Sequence, residues 1–147
     1  MAVGTFTLVN TGKEALLTDN ANQINWASDT IVAVLANASY APAATHSTYA
    51  DISTNIITDV GYAPVALTNK TSVRTNGTIL WDCDDISFGT NVTLTAKYLA
   101  IFKRAAGALA STDQFIGYVD LNVGAGLSAS STNSDFRLNT TSGLFDI

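Results

Sequence analysis

Apolar residues alternate with threonine from Thr5 to Val9 (TFTLV), a period of two that predicts a strand. Thr11-Gly12-Lys13-Glu14 follows with capping-box spacing, in which Thr11 bonds the Glu14 amide and Glu14 reaches back. A short helix is expected over Glu14 to Leu17. Thr30 to Leu35 (TIVAVL) is a continuous apolar run rich in β-branched residues, which predicts a strand buried on both faces. Asn37 to Thr54 reads as a long loop with a helical turn at Tyr49 to Ser53.

Beyond residue 64 the pattern becomes strand and turn. Pro64 to Asn69 and Thr71 to Arg74 are short strands, the first an edge because proline cannot donate to a ladder. Asn76-Gly77 has the chemistry of a type I′ hairpin turn leading into Thr78 to Asp82. Asn91 to Arg104 alternates as one strand, with Val92, Leu94, Ala96, Tyr98, Ala100 and Phe102 on one face. Its other face is polar at Thr95 and Lys97 and apolar at Leu99 and Ile101, so its second half should be covered on both sides. Gln114 to Leu121, Asp135 to Asn139 and Leu144 to Ile147 complete the strands, with Ser142-Gly143 between the last two.

The expected fold is mainly all-β: one domain over residues 1–147, an antiparallel β-sandwich of jelly-roll type with one short helix near the N-terminus. No βαβ alternation suggests a parallel sheet. Composition agrees. Apolar residues make up 47% of the chain and charged residues only 13%, with Thr, Ser and Asn supplying the polarity. Of twelve acids only Glu14 is glutamate, and aspartate favours the turns that join strands.

Charge narrows the partners. The net charge is −5 and the bases are scattered, apart from Lys103-Arg104, so no basic stripe invites nucleic acid. No apolar stretch has the length of a membrane span, and the N-terminus lacks the pattern of a signal peptide. Cys83 is the only cysteine, which fits assembly in a reducing cytoplasm. Five Asn-x-Ser/Thr triplets, at Asn37, Asn69, Asn76, Asn91 and Asn139, are expected to stay bare without an export signal.

Catalytic constellations are scarce. Asp82-Cys83-Asp84-Asp85 is the densest charged cluster and has the oxygen ligands calcium wants, but not the spacing of a calcium loop. A solvated turn, with Asp side chains bonding nearby amides, is the favoured alternative. Cys83 and His46 are each the sole residue of their type, so a nucleophile–base pair would need spatial accident. One His leaves no zinc constellation, and one Glu leaves glycoside hydrolysis to Asp pairs that nothing singles out. No enzyme activity, cofactor or metal is expected.

Trp26, Tyr40, Tyr49, Tyr62 and Trp81 form a scattered aromatic set, suited either to core packing or to a platform for a sugar or protein. Together with Ala2, Val3 and Thr5 of the terminus, Trp26, Tyr40, Tyr49 and Tyr62 are the candidate partner-binding residues. Residues 1–5, 37–50 and the Ser/Asn-rich loop 122–134 are the candidate contact surfaces.

The order of pieces supplies a further lead: NTGKEALL, Trp26-Ala-Ser-Asp-Thr, IVAVLANASYAP, His46 to Ile52, and Gly61-Tyr62 before ALTNKT. WDCDDISF, KYLAIFKR, IGYVDL and SSTNSDF follow. The chain resembles small structural proteins from the virion gene blocks of tailed bacteriophages, over almost its whole length. That resemblance implies a capsid decoration, or cement, protein on the outer surface of the virion, made in the host cytoplasm. Its implied partners are the major capsid protein and itself, as a homodimer or homotrimer on a shell symmetry axis. It implies no catalytic residue. A head–tail connector, a tail component and a carbohydrate-binding module using Tyr40, Tyr49 and Tyr62 are the alternatives.

Overall fold

The computed structural model describes residues 3–75, 77–124, 126–140 and 145–146. In chain order it contains β1 (Thr7–Leu8), α1 (Asn10–Leu17), β2 (Ile31–Ala36), and the 3-10 turns η1 (Tyr49–Asp51) and η2 (Ser53–Asn55). Then come β3 (Val65–Ala66), β4 (Thr71–Thr75), β5 (Thr78–Asp82), β6 (Ile86–Ser87) and β7 (Val92–Ala96). β8 (Tyr98–Lys103), β9 (Gln114–Asp120), β10 (Ala129–Ser134), β11 (Arg137–Leu138) and β12 (Phe145–Asp146) follow. The protein is mainly β, and among the described residues every strand pairing is antiparallel and the one α-helix lies near the N-terminus, as expected.

The apolar run of β2 explains the centre. It sits inside a five-stranded sheet of order β1-β9-β8-β2-β3, and all six of its residues are buried. Alternation sends Ile31, Ala33 and Leu35 to one face, where they join Leu99, Ile101 and Ile116. The sheets β12-β5-β4, β11-β6 and β10-β7 share that core through Trp81, Ile86, Val92, Leu94, Ala129 and Phe136. Val32, Val34 and Ala36 face the other way, with Ala100, Phe102 and Phe115, and are roofed by Tyr40, Ile52 and Ile56 of the connection from β2 to β3. A strand buried on both faces therefore has residues of the smaller sheets on one side and a folded loop on the other. β3, opened by Pro64, is an edge strand as anticipated.

Asn91 to Arg104 does not form the single strand its alternation predicts. It breaks at Lys97 into β7, paired with β10, and β8, paired with β2 and β9. Val92, Leu94 and Ala96 share a core with Leu99 and Ile101, so the inward side changes from even to odd positions. Lys97 absorbs the change. Its N–H donates to Ala36 O at 2.8 Å and its own carbonyl accepts from Leu121 N–H at 2.8 Å.

Other boundaries moved for local reasons. The first strand shortens to Thr7–Leu8 because Val9 becomes the cap of α1. Thr11 lies inside the helix and its hydroxyl donates to Phe115 O at 2.9 Å, so the Thr11–Glu14 capping box does not form. A capping box does form at Thr48 and Asp51, at the start of the anticipated helical turn. The polar run Ala129–Ser134, read as loop, pairs with β7 through backbone bonds that need no apolar side chain. Thr75 pairs with Thr78 across a two-residue connection, the register of the expected hairpin; Asn76 itself lies outside the described residues. So do Ser142, Gly143, Leu144 and Ile147.

Candidate functional site

Each aspartate of the acidic turn serves its own local bond. Asp82 Oδ1 accepts from Cys83 N–H at 2.8 Å, and Asp84 Oδ2 accepts from Thr68 Oγ1 and Asn69 Nδ2 at 2.8 and 2.7 Å. Asp85 Oδ1 accepts from Thr140 N–H at 3.0 Å. Among the described residues no three His, Cys, Asp or Glu side chains converge as a metal site would require. Burial, reinforced by Asp82 and Asp84, pushes the Cys83 thiol up to about 12, away from the thiolate a nucleophile needs. His46 shares a hydrogen bond with Tyr40 across 2.8 Å, and Tyr40 belongs to the loop-covered core on the other side of the central sheet from Cys83. The two are not brought together.

The aromatic candidates divide by burial. Trp26 is 3% exposed and stacks on Trp81 with ring centroids 4.5 Å apart, while its Nε1–H donates to Asp82 O at 3.1 Å. Tyr40 is equally buried, lies edge-on to Tyr98, and has its phenol pKa raised by that burial. Tyr49 is half-buried, edge-on to Phe102 at 5.5 Å. Tyr62 is half-buried too, and its hydroxyl accepts the Leu35 N–H at 2.8 Å. Tyr40, Tyr49 and Tyr62 thus spend ring faces or hydroxyls on the core and do not form a common exposed platform. Val3 and Thr5 are exposed beside the end of β9, where Gly4 N–H donates to Asp120 O at 2.7 Å. Ala2 lies outside the described residues.

A developed apolar surface lies elsewhere. An open groove of about 560 Å³ runs between the end of α1 and the β4–β5 hairpin. Leu16, Leu17, Ile24 and Ile79 line it together with the nearly buried Trp26 and Trp81. Leu17 is 87% exposed and Ile79 43%. The Leu16-Leu17 pair at the end of a helix of eight residues was the available signal, because a helix that short cannot turn both leucines into one core. No protein-family model, no curated protein and no solved structure matches this chain.

A second surface is polar and aromatic. Tyr98, Tyr118 and Asp120 share one face of β8 and β9, with Thr7 of β1 beside them and Pro42 and Val123 at the rim of an open depression of about 370 Å³. The two rings meet edge-on at 5.9 Å. Partial burial and then the Asp120 carboxylate raise the Tyr98 phenol pKa, so the hydroxyl stays protonated and able to donate.

Proposed function

We propose that this chain is a non-enzymatic attachment protein: a capsid decoration protein of a tailed bacteriophage that binds the outer surface of the major capsid shell and stabilises it. The observation that carries attachment is the groove of Leu16, Leu17, Ile24 and Ile79. Contiguous exposed apolar surface is uncommon on proteins that act alone and is favourable to bury against a partner. The phage shell as partner rests on the resemblance in the order of sequence segments. In this reading the three smaller sheets act as one layer of a jelly-roll-type sandwich, and the protein is made in the host cytoplasm before joining the virion.

Purified particles test the reading directly. Quantitative staining should find copies in proportion to the shell subunits, and Leu17→Ser with Ile79→Ser should reduce occupancy without loss of fold. A few copies per particle, confined to the neck or tail, would instead assign it as a connector or tail component. The depression at Tyr98, Tyr118 and Asp120 favours a second reading, carbohydrate binding, because aromatic rings beside a carboxylate suit the mixed apolar and hydroxyl faces of a sugar. Tyr118→Ala should then abolish binding on a glycan array, and an array blank for the unmodified protein removes that reading.

A further inference from the structure

Strand β4 is the edge of the sheet β12-β5-β4, and among the described residues no strand lies on its other side. Its side chains Thr71, Ser72, Val73 and Arg74 are all exposed. It carries no proline or bulge, two of the devices that blunt such an edge, and Arg74 is its only charge. Thr75 and Thr78 pair across the two-residue connection, so antiparallel geometry turns the backbone groups of Val73 towards β5 and those of Ser72 and Arg74 outward. An outward N–H and C=O on each of two alternate residues is what a further strand requires.

We propose that β4 pairs with β4 of a second copy, antiparallel and centred on Val73, to make a continuous six-stranded sheet across a two-fold axis. The strand is complementary to itself in that register. Val73 meets Val73, and each Ser72 meets an Arg74, so no like charges stand directly opposite. Val73 is 51% exposed and lies opposite half-buried Leu80 on the face turned away from Trp81. Pairing on Val73 therefore completes an apolar row of Leu80, Val73, Val73 and Leu80 across four strands. Any other register would leave one or both valines beside a polar residue. The outward Arg74 groups sit diagonally, where each can extend past the other into water.

The inference draws its purpose from the attachment reading, since a two-fold pair could straddle two shell subunits, but it is tested without a shell. Sedimentation of the full chain should show a monomer–dimer equilibrium. Val73→Lys places two ammonium groups opposite each other at the axis and should weaken the dimer by about tenfold or more. Val73→Cys should form a covalent dimer on mild oxidation, because non-hydrogen-bonded partners bring their Cα atoms to about 4.5 Å. Cys83 is buried and should leave the unmodified chain uncrosslinked, and Val3→Cys, at a position slightly more exposed than Val73, should not crosslink at a comparable rate. A chain that stays monomeric at all concentrations overturns the proposal, as does a dimer indifferent to Val73→Lys or a Val73→Cys chain that resists crosslinking. A Val73→Lys monomer that still decorates particles would leave attachment standing, and a dimer that never binds a shell would leave the pairing standing.

Discussion

The ammonium of Lys97 lies 2.9 Å from Asp120 Oδ1, with only 8% of the lysine side chain exposed. The same nitrogen donates to the carbonyls of Asn122 and Gly124 at 2.6 and 3.0 Å. A lysine at the break between β7 and β8 thus ties that break to the connection after β9. Lys97→Ala strips a partly buried carboxylate and two carbonyls of their donor. It should cost about 3 kcal/mol, the low end for breaking a buried pair because Asp120 keeps some solvent. Denaturant unfolding would measure the cost, and hydrogen exchange should rise first at residues 122–124.

Gly12 should reverse the usual rule for helices. Replacing an interior helix glycine by alanine ordinarily stabilises by about 1 kcal/mol. Here α1 packs so closely on β9 that a Cβ at Gly12 would overlap the Ile116 carbonyl, which is backbone and cannot swing aside. Gly12→Ala should destabilise by about 1–3 kcal/mol, as overpacked cores do. A raised melting temperature would show that α1 moves off the sheet freely.

Cys83 supplies both a reactivity and a pH prediction. With the thiol held near 12, alkylation of the folded protein at mildly alkaline pH should be slow and should accelerate on unfolding. In the unfolded chain the thiol ionises around its ordinary 9.0, so between 9.0 and about 12 the unfolded state binds fewer protons and stability falls as pH rises. Tyr40 and Tyr62, whose pKa values are also raised by loss of solvent, act in the same direction. Cys83→Ala should remove part of the alkaline slope and leave the tyrosine part.

Asp51 governs the acid side of the loop that roofs β2. Its Oδ2 accepts the N–H groups of Ser47 and Thr48 at 2.8 and 2.9 Å, and these bonds hold its pKa below the usual 3.8. The stabilisation is present above the ordinary value and is lost as pH falls through 3.8 and below it. Asp51→Ala should cost about 1 kcal/mol, as loss of a cap does. The variant should also show a flatter stability profile in acid, readable by thermal melts across that range.

Legibility in the sequence followed side-chain pattern. Ile31–Ala36 announced itself as a doubly buried strand because six consecutive apolar residues have no solvated face to offer. Gln114–Asp120 and the β4–β5 hairpin were legible from alternation and turn chemistry. Ala129–Ser134 was not, because a strand held by backbone bonds to β7 and anchored by Ala129 alone leaves no hydrophobic period. The break at Lys97 was hidden too: the even positions stay apolar straight through it, and only the third dimension shows that Val92, Leu94 and Ala96 join one core while Ala100 and Phe102 join the other. For surfaces, residue type misled. Trp26 and Tyr40 are chemically apt for a partner yet are consumed by the core, while Leu16, Leu17, Ile79 and Val73 look like core residues and stand in solvent.

The crossing at Lys97 also has a mechanical meaning. Residues 92–103 lead directly from the two-stranded sheet β10-β7 into the five-stranded sheet, so tension along this stretch loads the β7–β10 ladder and the β2–β8–β9 ladders in series. Prising these two sheets apart must therefore shear hydrogen-bonded strands lengthwise as well as part apolar faces. Each side of the crossing carries one irregularity in its ladder, between Ser131 and Ser134 for β7–β10 and between Ile101 and Phe102 for β8–β9, and these are the places where such a load would first be felt.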